Sequence, residues 1–166
     1  VNVELNVPYH KSSPVQFSVF PEAGYLVSGL KNTLAFKAVN IRGEPVEVEG
    51  TLFEDGDSLL RFKSFHAGMG QFEFVPDVNK RYHIQLSKPA SDSLWQLPEI
   101  KEEGIVFHLA ARDSSFLYFQ VKQSPTEEEK VVCLRGQLRW NVYCFKSGKL
   151  TEELDIRMGD VEVSLP

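Results

Sequence analysis

The sequence predicts an all-β protein built as two tandem antiparallel β-sandwiches of roughly seven strands each. Three observations carry that expectation. Apolar and polar residues alternate along short runs, turn residues interrupt the runs, and no stretch keeps a helical period for as long as three turns. The bias towards aromatics, 12 Phe and 5 Tyr against 2 Met, suits pleated, half-buried surfaces.

Taken in order, Val1 to Leu5 reads as an alternating strand, followed by a loose connection through Pro8 and Pro14. Val15, Phe17 and Val19 alternate with Gln16 and Ser18 as a half-buried strand, which Pro21 and Gly24 end. Leu34, Phe36 and Ala38 form the next apolar face, with Lys37 opposite. Arg42-Gly43-Glu44-Pro45 is a turn. Val46, Val48 and Leu52 then alternate with Glu47, Glu49 and Thr51, and Asp55-Gly56 has the chemistry of a tight hairpin turn. Leu60 and Phe62 continue inward, with Arg61 and Lys63 outward. His66-Ala67-Gly68-Met69-Gly70 is a turn that needs positive φ, leading into 71–75, and Tyr82, Ile84 and Leu86 form the last strand of this half.

The polar, proline-containing segment Lys88-Pro89-Ala90-Ser91-Asp92-Ser93 reads as a linker, dividing the chain into modules 1–88 and 89–166. In the second half, Ile105, Phe107 and Leu109 are expected to face inward, alternating with Val106 and His108. Asp113-Ser114-Ser115 turns into Leu117, Phe119 and Val121, and Thr126 to Lys130 is an acidic loop. Strands are expected at 131–135, 138–145 (Leu138, Trp140 and Val142 on one face) and 150–156. The chain opens on Val1 without a signal peptide and closes on 161–166, a strand entering a turn. Both ends suggest a fragment of a longer protein, with 161–165 as an open sheet edge prone to weak self-association.

Composition excludes several function classes. Apolar residues make up 42% and charged residues 25%, so the chain can fold around a core. A net charge of −5 argues against nucleic acid as a partner, because phosphate binding needs a concentrated basic face. No apolar run is long enough for a membrane-spanning helix. Cys133 and Cys144 are too few for a disulfide framework or structural zinc. If Gly136-Gln137 is a two-residue hairpin turn, Cys133 faces Trp140 and the two thiols stay apart, free and buried.

Catalytic, cofactor and metal residues are not expected. His10, His66, His83 and His108 show no metal-ligand spacing, and Gly68-Met69-Gly70 lacks the helix and Lys-Ser/Thr pair of a phosphate loop. No Gly-x-Ser-x-Gly elbow occurs, and the paired acids Glu47/Glu49 and Glu152/Glu153 lie on solvent-facing positions. Arg61, Lys63 and Lys37 are expected in a mixed-charge face with Glu47, Glu49 and Glu73. The candidate ligand surface consists of four aromatics, Trp95, Trp140, Tyr118 and Tyr143, which serve either a sugar or protein surface or internal packing.

Phe20-Pro21-Glu22-Ala23-Gly24-Tyr25-Leu26-Val27-Ser28-Gly29-Leu30, with 34–38, the segment from His66 to Pro76, and Tyr82, resembles macroglobulin-type (MG2-like) domains of large Bacteroidetes cell-envelope proteins. The family opening has glycine where this chain has Ala23, and the Cys-Gly-x-Gln thioester segment of full macroglobulins is absent. The resemblance covers about residues 16–88, and the strands from Ile105 onward look, more weakly, like the module that follows in those proteins. It implies an extracytoplasmic location in the periplasm or at the outer membrane, alongside TonB-associated relatives. With it goes the expectation of a non-enzymatic structural or protein-interaction module supporting outer-membrane nutrient uptake, whose partners are other domains of the same polypeptide and another envelope protein or a glycan. A carbohydrate-binding module using the aromatics, and a protease-inhibitor or adhesin segment, are the alternatives.

Overall fold

The computed structural model describes residues 15–114, 116–125, 128, 130–138, 141–150 and 153–159, with backbone alone over 133–138, 141–149 and 153–159. These residues form an all-β fold with no helix. Strands β1 (Gln16–Pro21), β2 (Leu26–Val27), β3 (Asn32–Val39), β4 (Glu49–Glu54), β5 (Asp57–Lys63), β6 (Met69–Phe74) and β7 (Tyr82–Lys88) come first. They are followed by β8 (Ala90–Gln96), β9 (Ile100–Lys101), β10 (Ile105–Arg112), β11 (Phe116–Gln123), β12 (Lys130–Leu138), β13 (Asn141–Leu150) and β14 (Glu153–Gly159). The sheets run β5-β4-β7-β8, β1-β3-β6, β10-β11-β14, β12-β13 and β2-β9. The ladders of β4, β7, β10, β11 and β12 are antiparallel, while Leu26↔Ile100 and Val27↔Lys101 pair parallel. That parallel pair departs from the wholly antiparallel expectation.

Two compact units are present. One takes in 15–18, 36–70 and 82–96, and the other 19–35, 71–81 and the residues from 97 onward.

In the first unit, period-two patterning builds the core directly. Phe36, Ala38, Val48, Leu52, Phe62, Tyr82, Ile84 and Leu86 are buried while Lys37, Arg61 and Lys63 are exposed. Phe17 lies 5.5 Å from Phe36 and 5.9 Å from Phe62, and Phe36 lies 4.9 Å from Phe62, measured between ring centroids. Each such contact adds about 0.5–1.5 kcal/mol beyond the burial of the rings. Asp55 and Gly56 have φ of 49° and 99°, so both central residues are left-handed, as the tightest hairpin turn demands. Glu54 then faces Asp57 across the β4–β5 ladder.

The segment expected to be a linker is not one. Lys88-Pro89, joined by a cis peptide, turns the chain, and Ala90–Gln96 returns along β7 as the outer strand β8. Its polar composition reflects an edge strand with mostly exposed residues rather than an untethered connection.

In the second unit, Leu26, Val27, Leu34, Phe72, Phe74, Val106, Val121 and Leu150 are buried. Asn32, also buried, fixes the approach to β3. Its Oδ1 accepts from the Val27 N–H at 3.0 Å, and its Nδ2 donates to the carbonyls of Val27 (2.9 Å) and Leu30 (2.8 Å). All three bonds satisfy backbone or amide groups that would otherwise be stranded away from water. Ser124 anchors Gly104 similarly: its Oγ accepts from the Gly104 N–H at 2.7 Å and donates to the Gly104 carbonyl at 3.1 Å. Phe107 stacks on Phe119 at 4.9 Å, and both pack with Ile105 and Val132 against Val121 and Leu150.

The inward set expected for β10 and β11 needs correction. Leu109 and Leu117 are exposed while Val106 is buried, so apolar residues lie on both faces of β10. Gly136 and Gln137 are not a turn either. They sit in β12 at a bulge, with Gly136↔Cys144 and Cys133↔Ser147 as partners. The two cysteines are therefore three positions apart in the ladder, about 10 Å along the strand and beyond the reach of about 7 Å for a disulfide. Residues 1–14, Trp140 and 160–166, including the expected open edge, lie outside the described residues.

Candidate functional site

The β4–β5 hairpin positions a cleft. Its two-residue turn fixes the register, so Thr51 lies opposite Arg61, Glu49 opposite Lys63 and Gly50 opposite Phe62. Leu59 is the extra residue at the ladder's irregularity and is 44% exposed. Alternation turns Phe62 inward and leaves Arg61 and Lys63 in solvent. Gly50 permits the close packing here, since a Cβ at that position would lie 2.6 Å from the Phe62 ring. The result is a cleft of about 730 Å³ lined by Glu49, Thr51, Arg61, Lys63 and Ser87 together with Gly50 and Phe62.

Charge in the cleft is uneven. Glu49 lies 3.7 Å from Lys88 Nζ, whereas Arg61 and Lys63 make no ion pair or hydrogen bond among the described residues. Glu73, expected beside this patch, pairs instead with Lys31 at 2.6 Å. Arg61 and Lys63 thus stand outside any ion pair among the described residues, although Glu49 is the cross-strand neighbour of Lys63. Chemically the site offers a guanidinium, an ammonium and hydroxyls, a set that recognises anionic groups.

Beside it, Glu47 has a structural task that alternation alone does not reveal. Its carboxylate accepts from the Ser64 hydroxyl and from the Gly68 N–H (3.1 Å), tying the β5–β6 connection to the segment before β4. The Ser64 bond first, then the Gly68 bond, hold the pKa of this exposed carboxylate below its usual value of 4.5; slight desolvation opposes this and nearby His66 assists it slightly. Because the folded-state pKa is depressed, the stabilisation is complete above the ordinary value and is lost as pH falls through the lowered one. Glu47→Gln should therefore lower the melting temperature near neutral pH, and the gap from wild type should close as the pH falls from neutral through the lowered pKa. Melting curves across that range check this; a gap independent of pH would contradict it.

Of the four aromatics expected as a ligand surface, the described side chains are those of Trp95 and Tyr118. Trp95 is half-buried and meets Phe17 edge-on at 5.6 Å. Tyr118 is half-buried, and its hydroxyl donates to Asp113 Oδ2 at 3.0 Å beside the turn into β11. Tyr143 belongs to β13, where only backbone is described, and Trp140 lies outside the described residues. His83 stacks flat on Phe53 at 5.0 Å, His66 is exposed in its turn and His108 lies on β10. No group of three metal-ligating side chains occurs among the described residues. Sequence reasoning passed over Asn32 and the Glu47–Ser64–Gly68 set; a polar residue at a strand entrance and a Ser distant in sequence carry little local signal.

No protein-family model matches the chain, and no curated protein matches it. No helix among the described residues is long and apolar enough to cross a membrane.

Proposed function

We propose that the chain is a non-enzymatic structural or protein-interaction module of a larger exported envelope protein. In this reading it is composed of β-sandwich modules of macroglobulin and immunoglobulin-like type, and acts outside the cytoplasm, in the periplasm or at the outer membrane. The observation that carries it is the use made of the motif from Phe20 to Pro76. Gly24, Gly29 and Gly68 hold φ of 84°, 73° and 71°, and Leu26, Val27, Phe72, Phe74 and Pro76 are buried. Every one of these residues serves backbone conformation or core, which is how a scaffold signature behaves. Contacts to partners fall to the outward residues, among them Arg61 and Lys63, which make no ion pair or hydrogen bond among the described residues.

The test is to assay the whole chain for glycan binding and for hydrolytic or transfer turnover, and to compare it with Trp95→Ala. The expected result is neither binding nor turnover. Trp95→Ala should lose about 2 kcal/mol, fewer than the 3–5 of a fully buried aromatic, and about 4–8 °C in melting temperature. Turnover that disappears on a single side-chain change would overturn the reading. Saturable glycan binding lost in Trp95→Ala at unchanged stability would establish the carbohydrate-binding alternative instead.

A further inference from the structure

The geometry points to β5 as the docking edge for an extended acidic peptide of a partner protein, added as a further strand with alternate Asp or Glu side chains over Arg61 and Lys63. This rests on the reading of the chain as an interaction module and gives that module's partner a chemistry. Two separate observations converge. In the order β5-β4-β7-β8, β5 is terminal among the described residues, so it offers a row of backbone N–H and C=O groups to a new strand. Its outward side chains Arg61 and Lys63 stand two residues apart with no ion pair or hydrogen bond among the described residues, and they border the cleft of about 730 Å³.

Spacing converts these into specificity. Side chains on one face of a strand recur every second residue, so a paired peptide with acids at alternate positions sets one carboxylate near each cation. Arg61 can take its carboxylate through two parallel N–H bonds. Glu49, the one carboxylate lining the cleft, is already beside Lys88, so it does not satisfy both cations. A second copy of the chain fits less well. Within β5 Asp57 is the one acid, so self-pairing in any register offers the two cations a single strand carboxylate and brings two further cations with it.

The experiment is a fluorescence-anisotropy titration of the whole chain with a labelled short peptide alternating Glu and Val. Three controls accompany it: the same peptide with Lys for Glu, the Glu peptide N-methylated at alternate amides, and free glutamate as competitor. The expected result is saturable, salt-sensitive binding of the Glu peptide alone, with slowed hydrogen exchange at 57–63. Arg61→Gln/Lys63→Gln should weaken it roughly tenfold, as loss of two rim charge pairs implies, while Lys37→Gln should not. Circular dichroism confirms that the variants are folded.

No binding of the Glu peptide, unchanged binding to the double variant, or equal binding of the N-methylated peptide would each overturn the docking proposal. So would peptide-free self-association that protects 57–63. Such failures leave the non-enzymatic reading standing, whereas cleavage of the bound peptide, followed by mass spectrometry, would overturn that reading while the docking survives.

Discussion

Gly68→Ala is expected to leave little folded protein. A Cβ at this position would sit 2.4 Å from the Ala38 carbonyl oxygen, 2.8 Å from that of Val46 and 3.0 Å from the Val46 nitrogen, all backbone atoms. The residue cannot move aside, because its N–H donates to Glu47 and its carbonyl accepts from the Ala38 N–H at 2.9 Å. Its φ of 71° adds strain for any residue with a side chain. Positive φ costs about 1–3 kcal/mol and a forced overlap about 1–3 more. Together these are a large fraction of the roughly 5–15 kcal/mol that holds a typical domain. Gly43→Ala is the control: φ there is 80°, yet nothing lies within 4 Å of the added carbon, so only the strain remains. Chemical-denaturation midpoints and soluble yields distinguish the two. Equal effects would mean that the close approach at Gly68 is unimportant.

The Gly68 turn was legible in the sequence because glycine punctuation and period-two patterning are local signals. So were the Asp55-Gly56 hairpin and the inward run of Phe62, Tyr82, Ile84 and Leu86. Information failed where the deciding partner is remote. Lys88 to Ser93 looks like a linker because an exposed edge strand is as polar as a loop; only its ladder with β7 shows otherwise. Gly136-Gln137 looks like a hairpin turn because a bulge uses the same residues. The parallel β2–β9 pair is too short to have any period at all. The cleft shows the same division: the outward placement of Arg61 and Lys63 follows from alternation, but which carboxylates pair with which cations, Glu49 with Lys88 and Glu73 with Lys31, is set by tertiary contacts that carry no local signal.

Phe36 and Gly70 should behave as one unit, and a double-mutant cycle should show it. Phe36 is 2% exposed and packs on both Phe17 and Phe62, so Phe36→Ala removes the centre of an aromatic cluster. The expected loss is about 3–5 kcal/mol. Gly70 lies against that ring: a Cβ there would be 2.3 Å from Phe36 Cζ and 2.7 Å from Cε1. Gly70→Ala alone must push the ring out of its place, with an overpacking loss of about 1–3 kcal/mol. In the Phe36→Ala background the obstructing ring is gone, and the added methyl fills part of the space it leaves. The second substitution should then cost much less than it does in the native chain. Relief stays incomplete because the Lys63 carbonyl oxygen, at 2.9 Å from the same Cβ, remains. Urea midpoints of the four proteins give the coupling, expected at about 1–2 kcal/mol in the compensating direction. Strict additivity would show that the ring is not what makes glycine necessary at position 70.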